Sequence, residues 1–464
     1  MTRVVIIGGG PGGYESALVA AQLGAEVVVV DSDGVGGSAV LTDCVPSKTL
    51  IATAELMTDL STAAELGIGL VDPSAEGSQV LVDLARVNAR VLRLAAEQSA
   101  DIGRRQEREG VRVVVGRGRL AGPEQVVVTS PDGSTETLDA DAVLVATGAA
   151  PRTLPTAEPD GERILTWEQV YDLTETPDKL IVVGSGVTGA EFASAYGALG
   201  IDVVLVSSRD RVLPGEDADA AALLEDVLTR RGMTVLSKSR MASVTRDGDT
   251  VTVALTDGRT VTGSHCLLAL GSVPNTDDLG LGTAGVAVDE GGFIVVDRVS
   301  RTSARGVYAA GDCTGVLMLA SVAAMQGRIA MWHFLGDAVA PLDLKKVSSN
   351  VFTAPEIATV GWSQNAVDAG EIVAESVRLD LSGNPRAKMQ GVRDGFVKLF
   401  CRPGTGIVVG GVVVGPRASE LIHPVSIAVA ESLTADQLAN AFTVYPSNSG
   451  SVAEAARRLH HPRM

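Results

Sequence analysis

The sequence predicts an α/β protein built from several domains, and three observations support this prediction. The chain has 464 residues, and a typical domain has roughly 150, so about three domains are expected. One segment with the order strand, glycine turn, helix, strand occurs twice. Beyond Pro341 the pattern changes to alternating strand signals followed by helical ones, which predicts a separate α+β domain.

The repeated segment predicts two dinucleotide-binding units. Residues 4–31 align without gaps on residues 180–207, and ten of the 28 positions are identical. Each copy has an apolar run, a Gly-x-Gly-x-x-Gly turn and an alanine-rich stretch before a second apolar run, which is typical of a βαβ unit. The first glycine allows a tight turn, the second lets a diphosphate approach the helix N-terminus, and the third packs helix on strand. We therefore predict two Rossmann-like domains, whose turn glycines are Gly8, Gly10 and Gly13 in the first and Gly184, Gly186 and Gly189 in the second.

Two shorter segments also resemble each other and mark domain exits. Residues 141–152 and 265–275 each contain a buried-type strand, a glycine turn and a proline. Each of these segments would return the chain to its own Rossmann-like sheet.

Composition excludes several classes of function. The net charge of −18 disfavours polyanionic partners, so neither nucleic acid nor an anionic membrane surface is expected. No apolar run approaches the roughly 20 residues of a membrane-spanning helix. The first strand signal begins at residue 4 and leaves no room for a signal peptide, which predicts a cytoplasmic protein. The four cysteines are scattered without a CxxC pair, so neither a disulfide framework nor a metal site is expected.

Further motifs carry a resemblance to a known family. Residues 36–48 read GGSAVLTDCVPSK, residues 308–313 read YAAGDC, and residues 351–361 read VFTAPEIATVG. Together with the two glycine turns, these motifs resemble the flavoprotein pyridine-nucleotide disulfide oxidoreductases, which include dihydrolipoamide dehydrogenase and glutathione reductase. The resemblance implies an FAD domain interrupted by an NAD(P)H domain and followed by a dimerisation domain, and therefore a homodimer. The expected boundaries are 1–150 and 271–345 for the FAD domain, 151–270 for the NAD(P)H domain, and 346–464 for the C-terminal domain.

The resemblance also implies which residues bind the cofactors. Asp31 has an independent reason, because an acid about twenty residues after the glycines accepts hydrogen bonds from ribose hydroxyls. The expected cofactor-binding residues are Gly8, Gly10, Gly13, Asp31, Lys48, Gly118, Thr147, Gly148, Gly184, Gly186, Gly189, Ser207, Arg209, Gly271, Asp312, Met318 and Ala320.

The sequence departs from the family at the disulfide chemistry. Family members that reduce disulfides carry two cysteines five positions apart, and here the first of these positions is Ala39, leaving Cys44 alone. The family's His and Glu, which handle the thiol proton, correspond to Tyr445 and Gly450. An alanine methyl neither forms nor attacks a disulfide. We therefore expect no disulfide reductase activity.

The residues expected near the flavin are retained. The resemblance implies an ion pair of Lys48 and Glu191 beside the flavin. Cys44 either tunes the flavin as a thiolate or is an inert small residue. Tyr445 either donates a hydrogen bond to an acceptor from the partner subunit or is an aromatic residue at the rim. Lys48, Glu191, Cys44 and Tyr445 are thus the candidate catalytic residues.

The repeat indicates which nicotinamide nucleotide is used. The residue that aligns with Asp31 in the second copy is Ser207, and Arg209 follows it. A carboxylate would repel a 2′-phosphate, whereas a hydroxyl and a guanidinium can bind one. NADPH is therefore expected, with NADH also usable. The alternative is that Arg209 is a solvated charge in a turn.

A reduced flavin without a disulfide must pass its electrons to an acceptor that reaches it directly. Quinones suit this requirement, so we expect an FAD-dependent NAD(P)H:quinone oxidoreductase of ping-pong type. A soluble pyridine-nucleotide transhydrogenase and a single-cysteine peroxide or oxygen reductase are the alternatives.

Overall fold

A computed structural model describes residues 1–68 and 81–460. The chain divides into two compact units. The first comprises Met1–Thr49, Asn88–Arg152 and Leu270–Asp343, and the second comprises Leu50–Val87, Thr153–Ala269 and Leu344–Met464. Within the described ranges, no helix combines the length and the apolar character needed to cross a membrane.

The first unit contains a five-stranded parallel sheet. Its central strand, Arg3–Ile7, pairs with Glu26–Asp31 on one side and with Ala142–Val145 on the other. The outer strands are Arg112–Val115 and Val307–Ala309. The chain moves away from the central strand in both directions, which places a ligand crevice at the carboxyl end of that strand.

The two faces of this sheet pack differently because successive side chains of a strand point to opposite faces. Ile6 lies in a core formed with the helices Pro11–Gln22 and Ala320–Leu335. Ile7 lies in a second core, which includes residues of an antiparallel sheet. The strands of that sheet are Arg117–Gly122, Gln125–Thr129 and Thr135–Asp139.

A short antiparallel ribbon joins the two predicted exit segments. Ala149–Pro151 pairs with Ser272–Pro274, so the chain leaves and re-enters the first unit at neighbouring points. Among the described residues of 1–152 and 270–343, the other helices are Gly37–Leu41, Cys44–Thr62, Leu84–Arg108 and Leu281–Ala284, with 3₁₀ turns at Ala63–Leu66 and Asp312–Thr314.

The second unit contains another five-stranded parallel sheet, in the order Thr234–Leu236, Asp202–Val206, Lys179–Val183, His265–Leu268 and Ile164–Thr166. Its three middle strands repeat the arrangement around the central strand of the first unit. The accompanying elements are the helices Val187–Ala198 and Ala218–Arg230, the 3₁₀ turn Gln169–Asp172, and the antiparallel strands Met241–Asp247, Thr250–Leu255 and Thr260–Gly263.

The C-terminal part of the second unit is an antiparallel sheet with helices, as the sequence predicts. The strand order is Ser348–Val351, Glu356–Gly361, Val408–Gly415, Phe396–Cys401 and Glu375–Asp380. The sheet and helices share one buried core. The helices are Gln364–Asp368, Pro385–Met389, Ala418–Leu421, His423–Ala430, Ala435–Asn440 and Gly450–Arg458, with 3₁₀ turns at Leu344–Lys346 and Leu381–Gly383.

Candidate active site

The first glycine turn precedes the helix Pro11–Gln22 and excludes a side chain at two positions. Gly8 has a φ of +106°, and a Cβ there would collide with the carbonyl oxygen of Ala146. A Cβ on Gly13 would collide with the carbonyl oxygen of Gly8. Glycine is therefore required at both positions by the close approach of backbone to backbone.

The N-terminus of the same helix has room for a ligand. Gly10 is its N-cap residue, and a Cβ on Gly10 would meet only the Cα of Gly37, at 4.0 Å. Asp31 ends the next strand, and its carboxylate accepts hydrogen bonds from the backbone N–H groups of Gly9 and Gly34, both at 2.6 Å. The carboxylate is thus fixed where an adenosine ribose is expected.

Asp312 lies in the 3₁₀ turn that follows the strand Val307–Ala309. Burial, reinforced by the nearby charge of Asp43, raises the pKa of Asp312 to about 6. Gly311 before it has a φ of +84° and donates its N–H to Oε1 of Gln326 at 2.9 Å. Gln326 is buried and supports the turn. Sequence reasoning missed it because a helical glutamine carries no motif.

Of the other residues predicted to bind FAD, Met318 and Ala320 lie at the start of a helix or just before it, and Gly118 lies buried in a strand. Met318 is 40% exposed, and Ala320 begins the helix Ala320–Leu335. Gly118 is buried, and a Cβ there would lie 3.1 Å from the side chain of Ile7. A methyl group at this position would require the Ile7 side chain to shift, so close packing against the parallel sheet is a second reason for a small residue here.

Thr147, Gly148 and Gly271 lie where the chain crosses between the predicted domains. The Thr147 hydroxyl donates to the carbonyl oxygen of Asn275 at 2.6 Å, and the Asn275 N–H donates to the carbonyl oxygen of Gly148 at 3.0 Å. The carbonyl oxygen of Gly271 accepts from the N–H of Arg152 at 2.9 Å. Asn275 therefore holds the Thr147 turn, a role that its position in a Pro-Asn pair did not reveal.

These residues fit an FAD molecule. The first turn leaves open space at a helix N-terminus, where a diphosphate binds favourably. Asp31 presents a fixed carboxylate for ribose hydroxyls, and Asp312 is a desolvated carboxyl group suited to hydrogen bonds with a polyhydroxyl chain.

The second glycine turn repeats the geometry of the first. Gly184 has a φ of +114°, and a Cβ there would collide with the carbonyl oxygen of Ala269. A Cβ on Gly189 would collide with the carbonyl oxygen of Gly184, whereas one on Gly186 would meet no atom within 4 Å. The N-terminus of the helix Val187–Ala198 therefore has the same open space, which fits a second dinucleotide.

Ser207 is buried inside the protein. Its hydroxyl lies 2.6 Å from the hydroxyl of Ser185 and accepts a hydrogen bond from the N–H of Arg209 at 3.1 Å. Ser185 belongs to the glycine turn, so the two serines join the turn to the end of the next strand. The Arg209 side chain is exposed.

All four cysteines lie among the described residues, and none of them forms a disulfide. Cys266, Cys313 and Cys401 are buried, whereas Cys44 is partly exposed. Burial raises the pKa of Cys266 and Cys401, and it raises the pKa of Cys313 to about 11. These three thiols are therefore structural rather than reactive. Ala39 lies in the short helix Gly37–Leu41 before Cys44.

Glu191 and Ser194 on the helix Val187–Ala198 hold a loop of the C-terminal part of the second unit. The Glu191 carboxylate accepts from the N–H of Phe352 at 2.8 Å, and the Ser194 hydroxyl accepts from the N–H of Ala354 at 3.1 Å. Glu191 is buried. The VFTAPEIATVG motif indicated this loop without identifying its partners. Lys48 belongs to the first unit, and its ion pair with Glu191 stays a prediction.

The segment that departs from the family motif lies at the protein surface. Tyr445 is 83% exposed, and Gly450 begins the helix Gly450–Arg458. His423 begins a different helix, His423–Ala430. Neither an imidazole nor a carboxylate stands at the two positions 445 and 450.

Comparison with known proteins identifies two family models and several full-length relatives. The family model for pyridine nucleotide-disulphide oxidoreductases matches residues 2–327, and that for their dimerisation domain matches residues 347–456. A Mycobacterium tuberculosis protein named NAD(P)H dehydrogenase (quinone) is 56% identical over 468 residues, which cover 99% of this chain and 94% of that protein. Dihydrolipoyl dehydrogenase of Chlorobaculum tepidum is 35% identical over 458 residues, which cover 98% of this chain and 96% of that protein.

Solved structures show the same similarity. The crystal structure of LpdA from Mycobacterium tuberculosis has a TM-score of 0.94 and 55% identity, covering 99% of this chain and 100% of that one. RclA of Escherichia coli, an HOCl-induced flavoprotein disulfide reductase, has a TM-score of 0.86 and covers 98% of this chain and 99% of its own. At 23% identity, it supports the fold alone.

The fold and the two turns define an oxidoreductase with two dinucleotide-binding domains. The chain belongs to the pyridine nucleotide-disulphide oxidoreductase family, whose members are flavin-dependent, and it carries the family's dimerisation domain. Membership implies FAD and NAD(P)H as cofactors. The family and the fold class predicted from the sequence are confirmed, as is the prediction of an oxidoreductase.

Proposed function

We propose that the protein is an FAD-dependent NAD(P)H:quinone oxidoreductase without disulfide reductase activity. One observation carries the proposal: none of the four cysteines forms a disulfide, and alanine stands at position 39, where the family has the first of its two redox thiols. Electrons therefore have no thiol path to a disulfide substrate. A quinone needs no such path, and a relative at 56% identity is named NAD(P)H dehydrogenase (quinone).

When bound, FAD supplies the two-electron chemistry that links hydride donation by a nicotinamide to reduction of the acceptor. The chain's own residues bind and orient the two nucleotides. The first turn, Asp31 and Asp312 hold FAD, and the second turn holds the nicotinamide nucleotide at a helix N-terminus. Lys48 and Glu191 are the charged residues that the proposal assigns to the flavin. Cys44 borders the acceptor together with Tyr445 of the partner subunit.

NADPH is the preferred donor in this proposal, and NADH is also used. The Ser207 hydroxyl is engaged with Ser185 and Arg209, so its contribution is the absence of a carboxylate rather than a direct contact. The exposed guanidinium of Arg209 binds the 2′-phosphate.

The proposal includes the domain boundaries expected from the sequence and a cytoplasmic homodimer. The match to the dimerisation domain supports the dimer. Phe442, Val444 and Tyr445 add support, because they form an exposed apolar stretch that a second copy would cover.

The decisive experiment compares electron acceptors. Purified flavin-loaded protein is mixed with NADPH or NADH and with a naphthoquinone, lipoamide, oxidised glutathione or peroxide. We expect fast turnover with the naphthoquinone alone. Fast turnover of either disulfide would contradict the proposal, and a high rate of hydride transfer from NADPH to a thio-analogue of NAD would favour the transhydrogenase alternative.

A further inference from the structure

Two loops at the carboxyl edge of the second parallel sheet run side by side. The strand Asp202–Val206 pairs with Thr234–Leu236, and the pairing continues past the ends of both strands. The Ser239 N–H donates to the carbonyl oxygen of Ser207 at 2.7 Å, and the Lys238 N–H donates to that of Arg209, also at 2.7 Å. The backbones of Arg209 and Lys238 are thus directly connected, although 29 residues separate them in the sequence.

Lys238 has an unusual backbone conformation. Its φ is +53°, in the left-handed region that costs free energy for any residue with a Cβ. No side-chain hydrogen bond of the described residues compensates, and the side chain is exposed. Glycine would suit this turn better if the turn alone mattered. The chain therefore places a lysine, rather than the glycine that the turn favours, directly beside Arg209.

Among the described residues around this edge, the side chains of Arg209, Lys238 and Arg240 form no ion pair, and Lys238 is the one whose backbone is hydrogen-bonded to that of Arg209. Arg259 is engaged by Asp257 at 2.6 Å, and Arg211 donates to a backbone carbonyl oxygen. Ser207 occupies the position where an acidic residue would be expected if the ribose carried no 2′-phosphate.

We infer that Lys238 is a specificity-determining residue that, together with Arg209, binds the 2′-phosphate of NADPH. The inference rests on the proposed nucleotide preference and deepens it. The guanidinium supplies a planar pair of donors, and the ammonium supplies a compact point charge, so the two cations complement each other around one dianion. A charge-assisted contact of this kind is expected to change affinity by about tenfold.

The test uses flavin-loaded protein and two probes that lack a nicotinamide, 2′,5′-ADP and 5′-AMP, whose binding is measured by calorimetry. Lys238→Ala should weaken 2′,5′-ADP about tenfold and leave 5′-AMP unchanged. It should also raise the KM for NADPH, with kcat and the KM for NADH unchanged. Lys238→Arg should retain most of the selectivity.

Two further variants separate charge from folding. Lys238→Gly suits a φ of +53°, so it should be at least as thermally stable as the wild type and still lose selectivity. Lys179→Ala removes the same charge at the opposite end of the same sheet, where Lys179 pairs with Asp202 at 3.0 Å, and should leave both probes unaffected.

The outcomes distinguish this inference from the proposal beneath it. If the wild type binds 2′,5′-ADP selectively and Lys238→Ala and Lys238→Gly bind it equally well, the inference is wrong while the NADPH preference stands. An equal loss of 5′-AMP would also overturn it. If the wild type binds 2′,5′-ADP no better than 5′-AMP, both the preference and the inference fail, whatever the quinone assay shows.

Discussion

The hydroxyl oxygens of Ser185 and Ser207 lie 2.6 Å apart, and both side chains are buried. This contact occupies the place that Asp31 occupies in the first copy of the repeat, where the carboxylate accepts backbone N–H groups. One position of the βαβ unit thus carries a fixed negative charge in one copy and a neutral pair of hydroxyls in the other. This difference makes the nucleotide preference testable.

Ser207→Asp should reverse that preference. A carboxylate at position 207 would repel the 2′-phosphate, so the KM for NADPH should rise at least about tenfold, while the KM for NADH should not rise. Steady-state kinetics with both donors measures the change. Ser207→Ala is the matched control, because it removes the hydroxyl without adding charge and should keep the preference for NADPH. An unchanged KM for NADPH in Ser207→Asp would show that position 207 does not determine the preference.

Cys44→Ser should retain most of the naphthoquinone reductase activity. The other three thiols are buried, and no disulfide exists for Cys44 to complete. Turnover of NADPH with a naphthoquinone measures the effect, and Cys44→Ala serves as a second variant without any polar atom. A collapse of both variants to background would mean that the thiol takes part in turnover.

Ala39→Cys should add a second sulfur without restoring disulfide reductase activity. Positions 445 and 450 carry Tyr445 and Gly450, so the variant still lacks a base for the thiol proton and an acid to orient it. Lipoamide turnover should stay near background. The triple variant with Tyr445→His and Gly450→Glu, which supplies the missing base and acid, is the positive control. A high lipoamide rate in Ala39→Cys alone would refute the argument from the missing base.

Gly13→Ala and Gly189→Ala should separate the two nucleotide sites. Each added methyl collides with a carbonyl oxygen of its own turn, so each helix N-terminus is displaced. Gly13→Ala should purify without flavin. Gly189→Ala should retain flavin whose absorbance NADPH no longer bleaches. Gly103→Ala is the control, because no atom lies within 4 Å of its Cβ position in the helix Leu84–Arg108, and it should gain about 0.5–1 kcal/mol of stability.

Asp312→Asn should change the pH dependence of the flavin-free protein. The pKa of Asp312 is raised to about 6 in the folded state, above the roughly 3.9 of an unfolded chain, so ionising this carboxyl destabilises the fold as the pH rises through that window. The variant should therefore melt at a higher temperature than the wild type at pH 7.5. The difference should shrink as the pH falls through 6 towards 4.5, and a constant difference across that range would contradict the assignment.

The repeat made most of the fold and both nucleotide turns predictable. Glycine spacing is a local signal, and the structure explains it by collisions within each turn and with one neighbouring strand end. Contacts between segments that are far apart in the sequence leave no comparable local pattern in it. The bond from Phe352 to Glu191 and that from Gly311 to Gln326 depend on how helices return to the sheets, which spacing along the chain does not reveal.

Ser207 shows a second limit. Comparison of the two copies correctly identified the missing carboxylate, because charge can be read from residue type. It did not identify the partner of the hydroxyl, since Ser185 reaches it only across the turn, 22 residues earlier in the chain. A free hydroxyl and an engaged one look the same in the sequence.

The ribbon of Ala149–Pro151 with Ser272–Pro274 has a consequence for how this architecture is assembled and engineered. Because departure and return are adjacent, the intervening segment is topologically equivalent to one long hairpin loop, and loop-closure entropy grows only logarithmically with the length of such a loop. Excising that segment and bridging the ribbon with a short glycine linker should leave a minimal flavin-binding protein. Conversely, a nucleotide-binding domain from another protein could be inserted between the same two strands.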